Sequence, residues 1–153
     1  MDTDADSDTD TLTHLIYAST ASRRFDKQEL LKLLENVRAA NARCGVTGML
    51  LYEDLNFFQV LEGPESAITP LFKKIATDKR HTGVVMIIQE PIVERSFADW
   101  TMSFSKITRE ELRSIDGLND FFGKNSVFSQ LDSGRAKKLL AAFQDGRWRR
   151  KIT

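Results

Sequence analysis

Hydrophobic positions along this chain switch between a two-residue and a helical rhythm, and each switch marks an element. Residues 12 to 18 form a β-prone run with Leu12, His14, Ile16 and Ala18 on one face and Thr13, Leu15 and Tyr17 on the other. Residues 26 to 40 follow a helical period, with Leu30, Leu31, Leu33, Leu34 and Val37 in one apolar stripe. Asp26 is the expected N-cap, Glu29 completes a capping box, and Gly45 ends the helix. Residues 46 to 52 and 57 to 62 then predict a hairpin turning through Glu53, Asp54, Leu55 and Asn56. Gly63-Pro64 breaks the second of these strands. A second helix spans 65 to 77 on Ile68, Leu71, Phe72, Ile75 and Ala76, with Pro70 tolerable in its first turn.

Residues 84 to 88 are almost continuously apolar, as expected of a strand covered on both faces. Residues 97 to 107 predict a fifth strand, in which Trp100, Met102 and Phe104 alternate with Thr101, Ser103 and Ser105. The order βαββαββ predicts an α+β, ferredoxin-like fold with a mixed five-stranded sheet, and right-handed crossovers put both helices on one face. Beyond it, residues 108 to 153 predict a helical extension. Thr108 and Glu111 make a capping-box start, residues 118 to 132 mix aromatics with Gly and Asn, and Ser133 is the expected cap of a last helix with Ala136, Leu139, Leu140 and Phe143 on its apolar side. This extension is apolar enough to cover the second face of the sheet or to meet a second subunit.

Charge adds little in bulk: lysine plus arginine and aspartate plus glutamate number 22 each, so nothing drives the chain toward nucleic acid or an anionic membrane. The termini are polarised instead. Asp2, Asp4, Asp6, Asp8 and Asp10 make residues 1 to 11 an acidic segment expected to be disordered, and Arg147, Arg149, Arg150 and Lys151 make the end basic. The single cysteine, Cys44, excludes an intrachain disulfide and reads as structural. No signal-peptide pattern or membrane span stands out, so a cytoplasmic protein is expected.

The candidate chemistry lies in two amides. Gln59 sits between Phe58 and Val60, where an unsatisfied amide costs about 1–3 kcal/mol, so it must serve a partner. Asn41, near the end of the first helix, Tyr17 in the first strand, and Trp100 with Met102 in the fifth can converge with it between helices and sheet. Such a site is aromatic, amide-lined and nearly uncharged, and suits a planar heteroaromatic ligand with carbonyl and N–H edges. Taken singly, Tyr17 reads first as a core aromatic and Asn41 as a helix-end residue, and Trp100 with Met102 fit core packing as well. No Ser-His-Asp or Cys-His arrangement, carboxylate pair or phosphate loop is present, and no spacing suits a metal.

At VTGMLLY, FFQVLEG, DKRH and FADWTM, in order beside Tyr17 and Asn41, residues 12 to 107 resemble the BLUF family of flavin-using blue-light sensors. The resemblance implies a non-covalent flavin, usually FAD with FMN or riboflavin as alternatives, held between the two helices against Asn41 and Gln59. It implies Tyr17 as electron donor, Gln59 as hydrogen-bond switch, and Trp100 and Met102 as relays into the fifth strand. Lys74, Asp78, Arg80 and His81 would lie around the ribityl chain and pyrophosphate; read as residues alone, they are also a solvated helix end.

Two positions depart from the family pattern. Leu55 stands in the hairpin turn where a glycine is usual, and Ala40 precedes Asn41 where a polar or imidazole side chain is common. The expected function is a short, stand-alone photoreceptor, not an enzyme, that signals to an unidentified protein or through a homodimer or higher homo-oligomer. A flavin-dependent oxidoreductase and a light-insensitive ferredoxin-like interaction module are the alternatives. The helices after Thr108 are expected on the sheet face opposite the flavin.

Overall fold

A computed structural model of the chain describes residues 11–22, 25–78, 81–97, 103–106, 108–115, 117–124 and 126–144. Strands β1 (Leu12–Ala21), β2 (Thr47–Glu53), β3 (Asn56–Pro64), β4 (His81–Pro91) and β5 (Ser103–Lys106) form one sheet in the order β4-β1-β3-β2-β5. The first four pair antiparallel, and β5 joins β2 in parallel, so the sheet is mixed. The fold is α+β and ferredoxin-like, as the order of elements required.

Helix α1 (Lys27–Cys44) begins as its sequence dictates. Asp26 Oδ1 accepts the Glu29 N–H at 2.8 Å, and Glu29 returns a bond to the Asp26 N–H. It ends at Gly45, as expected, whose φ of 70° only glycine adopts freely and whose N–H donates to the Asn41 carbonyl. Helix α2 (Glu65–Ala76) contains Pro70 in its second turn, one turn deeper than the tolerated place, where the ring removes an N–H from the helical ladder.

Two residues, Asp54 and Leu55, make the β2–β3 turn, and both have positive φ, 42° and 74°. The turn therefore takes the left-handed geometry despite Leu55, a strain of about 1–2 kcal/mol. Leu55 packs its side chain against the core on the helix face, and its carbonyl accepts the Ala21 N–H. The glycine of VTGMLLY has a steric cause, since a Cβ at Gly48 would collide with the Val60 carbonyl.

Alternation divides the core between the two faces. Leu15, Tyr17, Leu50, Tyr52, Phe57 and Leu61 face α1 and α2. Ile16, Ala18, Met49, Leu51, Phe58 and Val60 face the C-terminal elements: α3 (Arg109–Arg113), α4 (Asn119–Gly123), a 3₁₀ turn (Phe128–Gln130) and α5 (Ser133–Gln144). The extension thus seals the face opposite α1 and α2, through Leu112, Phe122, Phe128 and Leu139. Arg109 pins it, donating to Glu53 at 3.0 Å and to the Ser126 carbonyl at 2.6 Å. Burial raises the Glu53 carboxyl above its ordinary range, and Arg109 opposes that shift.

Three further expectations fail locally. β4 is an edge strand and not covered on both faces: Val85 is 40% and Met86 45% exposed. Asp132, not Ser133, caps α5, accepting the Arg135 N–H at 2.8 Å and holding its guanidinium. Phe97 is a buried loop residue ahead of β5, not its first residue.

Candidate functional site

Helices α1 and α2 lie side by side on one sheet face but do not close over it. A cleft of about 180 Å³, open at its mouth, remains between them and the sheet. Its floor is Tyr17 from β1, Leu50 from β2, and Phe57, Gln59 and Leu61 from β3. One wall is a helical stripe on α1, Leu33, Asn36, Val37, Ala40 and Asn41; the other is Leu71, Lys74, Ile75 and Asp78 on and just after α2.

Strand register brings the central pair together. Tyr17 and Gln59 are opposite one another across β1 and β3, on the same face. The Tyr17 hydroxyl donates to Gln59 Oε1, which answers why a strand tolerates an amide among aromatic and aliphatic neighbours. Tyr17 is 2%, Gln59 3% and Asn41 1% exposed, so all three are sheltered from water. The Tyr17 ring is braced by Phe72, 5.6 Å away between centroids. Burial, and then the Asp78 carboxylate, push the Tyr17 phenol above its ordinary pKa, so it stays a neutral donor.

Asn41 is positioned by the end of its helix: its carbonyl accepts the N–H groups of Gly45 and Val46, which anchors the last turn under the cleft. Chemically, a phenol and two amides present donors and acceptors without net charge, and Leu33, Val37, Leu71 and Ile75 supply apolar walls. The charged lining residues are Lys74 and Asp78, one of each sign.

Of the expected site residues, the structure brings Tyr17, Asn41, Gln59, Lys74 and Asp78 to one cleft. Arg80, Trp100 and Met102 lie outside the described residues, and His81 is described by its backbone alone, as the first residue of β4. Cys44 is exposed at the end of α1. Asn36 lines the cleft without having been singled out; its place three residues after Leu33 and four before Ala40 is the signal that finds it. Among the described residues, no helix is long and apolar enough to cross a membrane, and no cluster of His, Cys, Asp or Glu is suited to a metal ion.

Comparison with known proteins points one way. Residues 12–103 match the family described as BLUF, sensors of blue-light using FAD. The photoactivated adenylate cyclase subunit beta of Euglena longa is 40% identical over 122 residues, covering 79% of this chain and 13% of that protein. The chain thus spans about an eighth of that relative. The dark-state structure of BlrB, a BLUF protein, superposes with a TM-score of 0.73 at 30% identity, covering 90% of this chain and 98% of BlrB. For BlsA in its ground state the TM-score is 0.79 at 26% identity, covering 93% of each chain.

Proposed function

The chain belongs to the BLUF family, sensors of blue light using FAD, and from that premise we propose that it holds FAD non-covalently in the α1–α2 cleft and reports light through Gln59. The observation that carries this reading is the buried hydrogen bond from the Tyr17 hydroxyl to Gln59 Oε1 on the cleft floor. A bare core would not need an amide there. The donor set fits a flavin: Asn41 and Gln59 match a ring edge of alternating carbonyl and N–H groups, while Leu33, Val37, Leu71 and Ile75 match its apolar faces. FMN and riboflavin share that ring edge and satisfy the same residues.

When bound, the flavin supplies absorption of blue light and an excited state that oxidises a nearby phenol. Tyr17 is the electron donor, and its raised pKa keeps the proton on Oη until the electron leaves. That proton would pass to Gln59 Oε1, the acceptor already in contact, while a Gln59 N–H proton would pass on to the flavin that took the electron, so that neither Gln59 nor the flavin is left charged. Gln59 would then re-aim its donor and acceptor ends, by turning or by tautomerising, as a neutral group. Asn41 would hold the flavin's polar edge, Lys74 and Asp78 with Arg80 and His81 would hold its ribityl and phosphate side, and Trp100 and Met102 would relay the change to β5.

The output is a change in protein–protein contact rather than catalysis, made by a homodimer, a higher homo-oligomer or an unidentified partner. The C-terminal helices are the proposed output element, because they rest on strands whose other face carries Tyr17 and Gln59. The test is the absorption of the purified chain. A bound flavin whose spectrum shifts reversibly to the red under blue light is expected; bleaching only with added reductant indicates an oxidoreductase, and absence of a chromophore indicates an interaction module.

A further inference from the structure

On the sheet face away from the cleft, Glu62 is a fully buried carboxylate at 0% exposure. It lies in β3, three residues and about 10 Å along the strand from Gln59. Its two oxygens accept from the main chain of the loop that follows β4: Ser96 N–H to Oε2 at 2.7 Å and Phe97 N–H to Oε1 at 2.8 Å. Charge-assisted bonds of this length are strong, and two of them fix a loop backbone in orientation as well as position.

Arg95 completes the knot from the same loop. One guanidinium nitrogen donates to Thr47 Oγ1 at 2.7 Å and to the Glu62 carbonyl at 2.9 Å, and the other donates to the Gly45 carbonyl at 2.7 Å. Gly45 is the cap that holds the Asn41 end of α1. The start of β2, the end of β3, the end of α1 and residues 95–97 are thereby one hydrogen-bonded unit. Phe97 is buried in the core that the C-terminal helices share.

A carboxylate is a costly way to fill such a place, since an apolar residue would seal the core without desolvating a charge. What Glu62 contributes is orientation of the loop backbone. We propose that Glu62 is a positioning residue for the light response: it couples the strand bearing Gln59 to residues 95–97 after β4 and to the core beneath the C-terminal helices. This rests on the flavin reading above. A re-aimed Gln59 or displaced Asn41 moves elements that the knot binds to residues 95–97, so the loop shares in both states of the switch. With the knot intact, return of Gln59 requires these elements to move together; with it loosened, Gln59 returns alone and faster.

Glu62→Gln in the full chain tests this, because the amide keeps the shape but turns one acceptor into a donor facing an N–H. In the dark, hydrogen–deuterium exchange at the Ser96 and Phe97 amides is expected to quicken by about tenfold or more. After illumination, the red shift is expected to form but to decay about fivefold faster than in the parent chain, as loss of one hydrogen bond from the barrier would produce. Arg95→Lys, whose single ammonium cannot reach Thr47, Glu62 and Gly45 together, is expected to act the same way by about twofold and serves if Glu62→Gln does not fold. Unchanged exchange overturns the proposal. Faster exchange with an unchanged or slower decay also overturns it, by leaving Glu62 a purely structural role that a melting curve alone would register. A parent chain with no flavin or no red shift overturns the flavin reading instead, while the exchange result still stands on its own.

Discussion

The two faces of this sheet are made from alternating residues of the same strands, yet they are finished in opposite ways. On the C-terminal side, Phe128 meets Phe58 at a tilt and Phe122 edge to face, with centroids 5.6 and 6.1 Å apart, under helices that leave the sheet residues buried. On the α1–α2 side the helices stand apart, and the sheet shows a phenol and an amide to a cleft. Period-two alternation means that a single strand can supply both surfaces without compromise. One face concentrates stability, the other keeps space and polar groups that packing alone would eliminate. Cleft chemistry is therefore separable from dry-core packing by residue parity: Tyr17 and Gln59 belong to the cleft, their neighbours Ile16, Ala18, Phe58 and Val60 to the dry core.

The largest effect that sharpens this contrast is expected from Phe122→Ala, which should cost about 3–5 kcal/mol in urea unfolding by opening a cavity in the dry core. The molecules that remain folded should keep their flavin spectrum; loss of the spectrum at equal folded fraction would break the division between faces. Asn41→Ala acts on the other face. It should weaken flavin binding roughly 5- to 150-fold, the equivalent of about 1–3 kcal/mol for a lost buried partner, with little change in melting of the flavin-free chain. Titration of flavin fluorescence measures it.

Gly45→Ala is smaller and lies at the seam. Nothing stands within 4 Å of the added Cβ, so only the left-handed backbone is penalised, by about 1 kcal/mol. Melting should register that loss. The smallest effect is acid-dependent. Lys137, and then His14, hold the Glu90 carboxyl below its ordinary range through bonds of 2.9 Å, the first of which ties α5 to the sheet. A lowered carboxyl pKa contributes stability above the ordinary value of 4.5, and that contribution fades as pH falls through the lowered value. For a partly exposed pair it is under about 1 kcal/mol, so Lys137→Met should narrow the gap between melting temperatures at pH 7 and pH 4 only slightly.

Much of this was legible in the sequence because the signals were local. Asp26 with Glu29, Thr108 with Glu111, and Gly45 each cap a helix through neighbours in the chain, and alternation sorted Tyr17 from Ile16 before any fold was known. Gln59 stood out because an amide in an apolar run needs a partner, and the register supplies Tyr17. What failed depended on the third dimension. An apolar run such as residues 84–88 does not reveal whether it lies at a sheet's centre or edge, and β4 is an edge. Asp132 and Ser133 are adjacent capable caps, and the backbone chose the first. Asn36 was hidden because a polar residue on a helix ordinarily faces water, and Glu62 because the main-chain groups it holds lie more than thirty positions away.

The most direct test of the account is the light-minus-dark spectrum of Tyr17→Phe beside its melting curve. The substitution removes the hydroxyl that donates to Gln59 while keeping the ring that packs on Phe72. The expected result is a chain that folds, retains flavin and gives no reversible red shift. A normal red shift in Tyr17→Phe would contradict the claim that the Tyr17–Gln59 pair on the cleft floor is the switch.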